Sequence, residues 1–369
     1  MAKDSTGPNW TARIIIIAFA TVLAGAGALW LYDKASREIA TLVDKVSRGI
    51  ANTETCEKAG GDEAIAACTW VIDSGHLHGH DLAVEYYNRG IEYKHKGDFD
   101  RAIADYGEAI RLDPGYQHAY VNRGLAYDAK GDVDRAIADY TEAIRLDPKD
   151  KDPYTNRGGA YHAKGDLDRA IADHSEAIRL DPTFAAAYVN RGNAYRAKDD
   201  LDRAIADYDQ AIRLDPKKLS AYLSRGRANL YAGALATALA DFEQANARHP
   251  KDAYAALWRD IADTRSHRPS RLADAAARID MTQWPAPVIR LYLGQMTPEA
   301  VLAAADNPDA DTKNGRMCEA NFYTGELQLQ QGKTDDATRL FRLAAASCPK
   351  GFVEFDGATA ELKALGAAQ

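Results

Sequence analysis

The strongest constraint on the fold of this chain is an internal repeat of 34 residues that runs from Ala83 to Asp252. Five repeats begin at residues 83, 117, 151, 185 and 219, and the second reads QHAYVNRGLAYDAKGDVDRAIADYTEAIRLDPKD. A fixed period of this length indicates a solenoid, in which each repeat buries its apolar stripe only by packing on its neighbours. The period therefore favours a solenoid over the two or three compact domains that 369 residues otherwise suggest.

The same residue type recurs at fixed positions of the repeat. Position 8 is always Gly and position 20 always Ala, which are small residues suited to a close crossing of two helices: Gly90, Gly124, Gly158, Gly192, Gly226 and Ala102, Ala136, Ala170, Ala204, Ala238. Position 4 is always Tyr and position 32 always Pro. This pattern resembles the tetratricopeptide repeat (TPR) family. The resemblance implies an all-α solenoid, a right-handed superhelix of helix hairpins, over residues 83–252.

Two charged positions depart from the common TPR pattern. Position 7 is Arg and position 23 is Asp in every repeat: Arg89, Arg123, Arg157, Arg191, Arg225 and Asp105, Asp139, Asp173, Asp207, Asp241. Because the two positions lie on the two helices of one hairpin, we expect a repeated, structural Arg–Asp ion pair, within or between repeats. The alternative is a ladder of Arg for an acidic ligand, which an acid beside each Arg disfavours.

In TPR proteins, a concave groove is lined by positions 2, 5, 9, 12 and 13 of each first helix. The resemblance places the following residues in a groove suited to an extended or helical peptide: Tyr87, Ile91, His95, His118, Val121, Leu125, Asp128, His162, Val189, Arg196, Leu223 and Arg227. The alternative is that the chain's own N- or C-terminal segment covers part of this groove.

Residues 1–32 stand apart because Ile14–Tyr32 is a run of 19 residues without charge. As a helix it would be roughly 28 Å long, close to the thickness of a bilayer core. It predicts a signal anchor, or a signal peptide cleaved near Ala24–Ala28. Residues 33–51 follow as an amphipathic helix, which we expect to be a stalk that packs on the first repeat, with a self-association seam as the alternative. We expect a single-pass inner-membrane protein with its body in the periplasm, or a secreted periplasmic protein if the segment is cleaved.

The four cysteines form two local pairs at the two ends of the body. Cys56 and Cys68 flank the Gly60-Gly61 turn of a degenerate repeat (52–82), and Cys318 and Cys348 stand at the two ends of a terminal TPR hairpin within 318–369. This placement predicts disulfides 56–68 and 318–348 in an oxidising compartment, and buried free thiols are the alternative.

Residues 253–317 lose the register of the repeat and are predicted to be helical. The motifs from Ile289-Arg290-Leu291-Tyr292 to Phe352-Val353-Glu354 resemble the NlpI-type TPR lipoproteins of bacterial envelopes. That resemblance implies a non-catalytic scaffold that links a protease to peptidoglycan hydrolases and forms a homodimer. Ala stands where the lipidated Cys of that family would be, in Leu23-Ala24-Gly25-Ala26, so the membrane attachment must differ.

No sequence motif predicts catalysis or a cofactor. The chain has no nucleotide-binding loop, G-x-S-x-G or H-E-x-x-H. His76, His78 and His80 form H-x-H-x-H, which could hold a metal but is more typical of a solvated loop. The net charge of −8 argues against nucleic-acid binding. Two alternatives to the adaptor remain, a TPR receptor facing the cytoplasm and a hydrolase subunit with a site in 253–317.

Overall fold

The computed structural model of the chain describes residues 28–349 and 352–367, and within these ranges all regular secondary structure is helical. The chain forms two compact units, one that ends at Ala126 and one that begins at Tyr127. Most of the predicted signal or membrane segment, residues 14–27, lies outside the described residues. No helix within the described ranges combines the length and apolar character that crossing a bilayer requires.

The first unit continues the predicted stalk directly into the degenerate repeat. Its described helices are α1 (Ala28–Lys58), α2 (Gly61–Asp73), α3 (Gly79–His95), α4 (Phe99–Leu112) and most of α5 (Gln117–Ala129). Helix α1 continues through residue 51, the predicted boundary between the stalk and the degenerate repeat. The predicted stalk (33–51) and the first helix of the repeat (52–82) therefore share one helix, which ends before the helix-breaking pair Gly60-Gly61.

The second unit contains the remaining repeats and the C-terminal region. Its repeat helices are α6 (Val133–Leu146), α7 (Lys151–Lys164), α8 (Leu167–Leu180), α9 (Ala185–Ala197), α10 (Leu201–Leu214), α11 (Leu219–Tyr231) and α12 (Leu235–Arg248). The helices after the repeats are α13 (Ala253–Arg265), α14 (Leu272–Ala276), α15 (Ala286–Tyr292), α16 (Pro298–Ala304), α17 (Ala310–Gln330), α18 (Thr334–Ser347) and α19 (Val353–Ala364).

Each repeat has a first helix, A, and a second helix, B, joined by a tight turn, and the repeats that lie within one unit are helix hairpins. In four repeats an aspartate side chain caps helix B by accepting a hydrogen bond from the backbone N–H three residues later: Asp98, Asp132, Asp166 and Asp200. The residue before the cap adopts a left-handed backbone, which explains Gly at position 15. Asp199 is the exception, with φ of 63°.

The glycine at position 8 lets helix A approach the aromatic ring at position 24 of helix B. A Cβ atom added to Gly192 would lie 2.6 Å from Cε1 of Tyr208, and one added to Gly158 would lie 2.6 Å from Cε1 of His174. Contacts this short are not seen for real Cβ atoms, so any side chain at position 8 would force the hairpin apart. The small residue is therefore required by packing.

His174 makes the stability of the second unit depend on pH. It stands at position 24, where other repeats hold Tyr or Phe, and its buried Nδ1 has no hydrogen-bond partner among the described residues. Burial lowers the pKa of His174 from 6.5 to about 3. Between these values the unfolded chain binds a proton that the folded chain does not. Above about pH 6.5 the histidine is neutral in both states and does not lower the unfolding free energy. Below about pH 6.5 the unfolding free energy falls as the pH decreases.

We expect the substitution His174→Tyr to remove this loss. At pH 5 the buried histidine lowers the unfolding free energy by about 2 kcal/mol relative to its value at pH 8. The stabilisation by His174→Tyr should therefore be about 2 kcal/mol larger at pH 5 than at pH 8. Urea unfolding at the two pH values measures the difference. The reverse substitution Tyr208→His in the next repeat should introduce the same acid-dependent loss. Equal pH dependence in wild type and His174→Tyr would contradict the assignment.

Candidate peptide-binding surface

Arginine–aspartate pairs join the two helices of the hairpins, as the sequence predicts. Arg191 donates from Nε and Nη2 to the two carboxylate oxygens of Asp207, at 2.8 and 2.7 Å. The same two-bond geometry joins Arg89 to Asp105, Arg157 to Asp173 and Arg225 to Asp241. The pairing of Arg123 with Asp139, which belong to different units, stays a prediction.

The third nitrogen of these arginines reaches the preceding repeat. Nη1 of Arg191 donates to Ser175 Oγ at 3.1 Å, and Nη1 of Arg157 donates to Thr141 Oγ1 at 3.0 Å. The paired aspartates are buried. The guanidinium groups of these arginines therefore bond to residues of the repeats and not to a ligand. The bonds to Asp join the two helices of one hairpin, and the bonds from Nη1 join that hairpin to the preceding repeat.

In the first unit, the predicted groove residues form a partly accessible aromatic surface. Tyr87, Ile91, Val121 and Leu125 are half-buried, and His95 and His118 are exposed. The Tyr87 ring lies 5.0 Å from that of Tyr116, centroid to centroid, and partial burial raises the pKa of Tyr87. These residues provide apolar contact area beside polar groups, as a peptide-binding surface requires.

In the second unit, four predicted groove residues are not accessible. Val189, Arg196, Leu223 and Arg227 are buried, whereas Asp128 is exposed and His162 is half-buried. The expectation that these four contact a ligand is therefore corrected. The alternative considered from the sequence, that an end of the chain covers the groove, accounts for Arg196 and Arg227, which face the C-terminal helix α19. Val189 packs against Tyr208 and small helix residues.

Helix α19 is held in this part of the groove by charge pairs. The guanidinium of Arg196 lies 2.9 Å from Asp356 Oδ2, and Lys363 pairs with Asp199. Although burial opposes its charge, Asp356 raises the pKa of Arg196 above its ordinary value. Burial also raises the pKa of Glu354 to about 7, with Arg227 opposing the shift. Groove positions 9 and 12 thus carry the basic residues Arg227 and Arg196 at the place where α19 presents the acids Glu354 and Asp356.

A second charge cluster fixes the C-terminal end of α19. Arg265 on α13 donates to Glu326 on α17 at 2.6 Å and to Glu361 on α19 at 2.7 Å. Gly357 packs so closely that an added Cβ would lie 2.7 Å from a ring carbon of Phe322 and from the Tyr231 hydroxyl. Asp199, whose carboxylate meets Lys363, is also the one repeat residue with a left-handed backbone that is not glycine. The turn before helix B imposes this backbone at position 15 of every repeat, and at Asp199 the side chain that glycine lacks pairs with Lys363.

The structure draws attention to a recurring asparagine that was not predicted as a site residue. Position 6 of helix A is Asn in the first four repeats: Asn88, Asn122, Asn156 and Asn190. Asn122 donates to the Tyr87 hydroxyl at 3.0 Å and accepts from Lys94 Nζ at 2.6 Å, so position 6 faces the neighbouring helix A and its groove residues. The sequence signal that could have identified these residues is the recurrence of Asn at position 6. Their half-burial is visible only in the structure.

The carboxamides of Asn88, Asn156 and Asn190 are half-buried and have no hydrogen-bond partner among the described residues. The contacts of α19 with the repeat helices lie further along, at Arg196, Arg227, Tyr231 and Asp199, which are positions 9 to 15. Helix α19 therefore fills one side of the groove in the second unit and leaves Asn156 and Asn190 accessible.

The three histidines before the first repeat do not converge. His76, His78 and His80 are all exposed, and His80 Nδ1 is bonded to Asp113 Oδ2 at 2.6 Å. Within the described residues, the one group of three metal-ligand side chains lies elsewhere, at the first cysteine pair. His76 and His78 are in an exposed loop, whereas His80 is in the first turn of α3.

Both predicted disulfides are present, Cys56–Cys68 and Cys318–Cys348. The acids that follow the repeats are engaged in the packing of that region. Asp263 pairs with Arg271 at 3.0 Å, Asp260 accepts a hydrogen bond from Ser270, and Glu319 accepts from Trp284 at 2.9 Å and Tyr254 at 2.8 Å. Burial raises the pKa of Asp260 and of Glu319. These acids hold helices together, so the perturbation of their pKa has a structural cause.

Comparison with known proteins agrees with this architecture. Tetratricopeptide repeat profiles match residues 87–151, 139–172 and 185–218, and a TPR repeat profile matches residues 158–199. A tetratricopeptide repeat protein from Parabacteroides merdae is similar in fold, with a TM-score of 0.51 and 17% identity over 76% of this chain and 98% of that chain.

Two further solved structures match the chain over shorter lengths. MamA is 29% identical, with a TM-score of 0.42, over 45% of this chain and 96% of its own. YrrB, described as a TPR protein with an unusual peptide-binding site, is 22% identical, with a TM-score of 0.42, over 52% of this chain and 97% of its own. Family profiles thus match the 34-residue repeats between residues 87 and 218, and this part of the chain consists of tetratricopeptide repeats.

Proposed function

We propose that this TPR protein is a non-catalytic adaptor that binds extended segments of partner proteins through the position-6 asparagines. The supporting observation is that half-buried asparagines without a hydrogen-bond partner among the described residues recur at position 6, at Asn88 in the first unit and at Asn156 and Asn190 in the second. A carboxamide offers an acceptor and two donors, and can therefore pair with both the N–H and the C=O of one peptide residue. These carboxamides remain accessible and are not used in the packing of the described residues, so they are available to a ligand.

In this mode of binding, the asparagines would recognise the main chain of the partner more than its side chains. Main-chain hydrogen bonds provide affinity, while neighbouring side chains such as Tyr87 and Ile91 provide preference for apolar residues. Such a surface suits an adaptor that accepts several partners through unstructured tails. In the second unit, helix α19 occupies one side of the groove, so a partner would bind along the other side.

We place the adaptor at the bacterial inner membrane, with its body in the periplasm. The uncharged run Ile14–Tyr32 supports an N-terminal anchor, and the two disulfides support an oxidising compartment. The resemblance of residues 285–360 to NlpI-type proteins suggests its partners, an envelope protease and peptidoglycan hydrolases, and a homodimer as its assembly.

Affinity purification with chemical cross-linking tests this proposal. The full-length chain, expressed in its host and extracted in mild detergent, should retain envelope proteins that include a protease or a wall hydrolase. The double variant Asn156→Ala/Asn190→Ala should lose them. Gln244→Ala, which removes an exposed carboxamide from helix B, is the matched control and should retain them. Recovery of the same proteins by all three chains, or of cytoplasmic proteins alone, would contradict the proposal.

A further inference from the structure

A buried carboxyl group lies against the first disulfide. Cys56 on α1 and Cys68 on α2 are 4% and 0% exposed, and Glu85 on α3 is 2% exposed. The two sulfur atoms and a carboxylate oxygen of Glu85 all lie within 4.8 Å of one another. Oε2 of Glu85 has no hydrogen-bond partner in the part of the chain that the structure describes. Three metal-ligand groups from three helices thus meet at one buried point.

Packing alone does not require an acid at this position. Glu85 is residue 3 of its repeat, and the other repeats hold small or apolar buried residues there: Ala119, Pro153, Ala187 and Ala221. Burying a carboxyl group without a partner is unfavourable, and burial accordingly raises the pKa of Glu85 to about 7. The one repeat that contacts a cysteine pair is therefore the one that carries this costly acid.

We propose that reduction of the Cys56–Cys68 disulfide turns this cluster into a binding site for one Zn²⁺ ion. The two thiolates and the Glu85 carboxylate are its protein ligands, and water completes a tetrahedral set. Thiolate sulfur and carboxylate oxygen are both established zinc ligands, and three protein ligands leave one open position.

The chemistry of the switch balances with a cellular dithiol as reductant. The dithiol gives two electrons and two protons to the disulfide, which becomes two thiols, while the dithiol becomes a disulfide. Zn²⁺ then displaces the two thiol protons and any proton on Glu85, which are released to solvent. In the reverse direction a cellular disulfide accepts two electrons from the two thiolates and takes up two protons to become a dithiol, while Cys56–Cys68 re-forms and the ion is released.

The second disulfide is a natural control within the same chain. Cys318 and Cys348 are also buried, but no third Cys, His, Asp or Glu ligand joins them among the described residues. A reduced pair without a third ligand should bind Zn²⁺ much more weakly. The proposal therefore predicts one tightly bound ion for each fully reduced chain, and not two.

Anaerobic titration of the reduced full-length chain tests the site. The disulfides are reduced with a phosphine, the reagent is removed, and Zn²⁺ or Cd²⁺ is added, with the ultraviolet cadmium–thiolate band reporting sulfur ligation. We expect one equivalent to bind per chain, Glu85→Gln to weaken binding at least tenfold, and Cys318→Ala/Cys348→Ala to leave it unchanged. The oxidised chain should not bind.

Several results would overturn the proposal. They are equal affinity in wild type and Glu85→Gln, loss of binding in the Cys318→Ala/Cys348→Ala variant, or equal binding by the oxidised chain. If Glu85→Gln does not fold, as judged by its circular dichroism, Glu85→Ala replaces it, because alanine is the residue that three other repeats tolerate at this position.

Discussion

Replacing Gly158 by valine is expected to lower the unfolding free energy of the unit that begins at Tyr127 by about 3 kcal/mol. The reason is steric, because even the first side-chain atom would lie 2.6 Å from the ring of His174. The helices α7 and α8 would have to separate, and the contacts of the whole hairpin would be lost with them. Urea unfolding of the full-length chain, followed by circular dichroism, measures the change.

The adjacent residue provides the control for this prediction. Gly159 lies on the same helix, is exposed, and would place a Cβ with no atom within 4 Å. Valine there should leave the stability unchanged or slightly raised, since valine has a better helix propensity than glycine by a few tenths of a kcal/mol. Equal destabilisation by the two substitutions would show that backbone conformation, and not the close crossing, explains the glycine.

Removing Arg191 is expected to have an effect of similar size. The substitution Arg191→Met keeps most of the apolar stem but leaves the buried carboxylate of Asp207 without its two-bond partner, which should cost about 3 kcal/mol of unfolding free energy. The double variant Arg191→Met/Asp207→Leu should recover a large part of the loss, because the unpaired charge is then absent. A double-mutant cycle measures the coupling between the two residues.

An exposed ion pair of the same repeat separates this effect from a general loss of charge. Arg203 pairs with Asp200 at the surface, so Arg203→Met should produce no measurable change in stability. Additive single substitutions at Arg191 and Asp207 would contradict the structural role of the pair.

The hairpins could be predicted from the sequence because their determinants are local. Glycine at positions 8 and 15, alanine at position 20 and aspartate before helix B each specify one backbone or packing requirement, and the period repeats that information five times. The Arg–Asp pairs within the two units followed from the same register. Even the exception Asp199 could be recognised as a departure from the turn residue.

The occupation of the groove by α19 could not be predicted, because it depends on contacts between residues far apart in the chain. Lys363 meets a residue 164 positions earlier, and no local pattern encodes that distance. Helix α19 begins at Val353 and carries Glu354 and Asp356 in its first turn, but the sequence does not indicate which surface these acids meet. Groove positions 9 and 12 do change from mixed residues to Arg196 and Arg227 in the later repeats, which in hindsight indicates an acidic occupant.

The binding row was missed for a different reason. Asn88, Asn122, Asn156 and Asn190 repeat as regularly as the tyrosines, but a polar residue on a helix is also typical of a solvated face. Only the structure distinguishes the two cases, because it places these side chains at half-buried positions of helix A and leaves three of them without a partner.

The central claim, that the position-6 asparagines bind the main chain of a partner, is tested most directly with backbone-modified peptides. Fluorescent, unstructured peptides of about 12 residues, long enough to span several repeats, are titrated with the full-length chain, alongside the same peptides with methylated backbone nitrogens. We expect the unmodified peptides to bind. N-methylation and Asn156→Ala/Asn190→Ala should each weaken binding at least tenfold, while Gln244→Ala should not. Peptide binding that survives both the methylation and the asparagine substitutions would contradict the account.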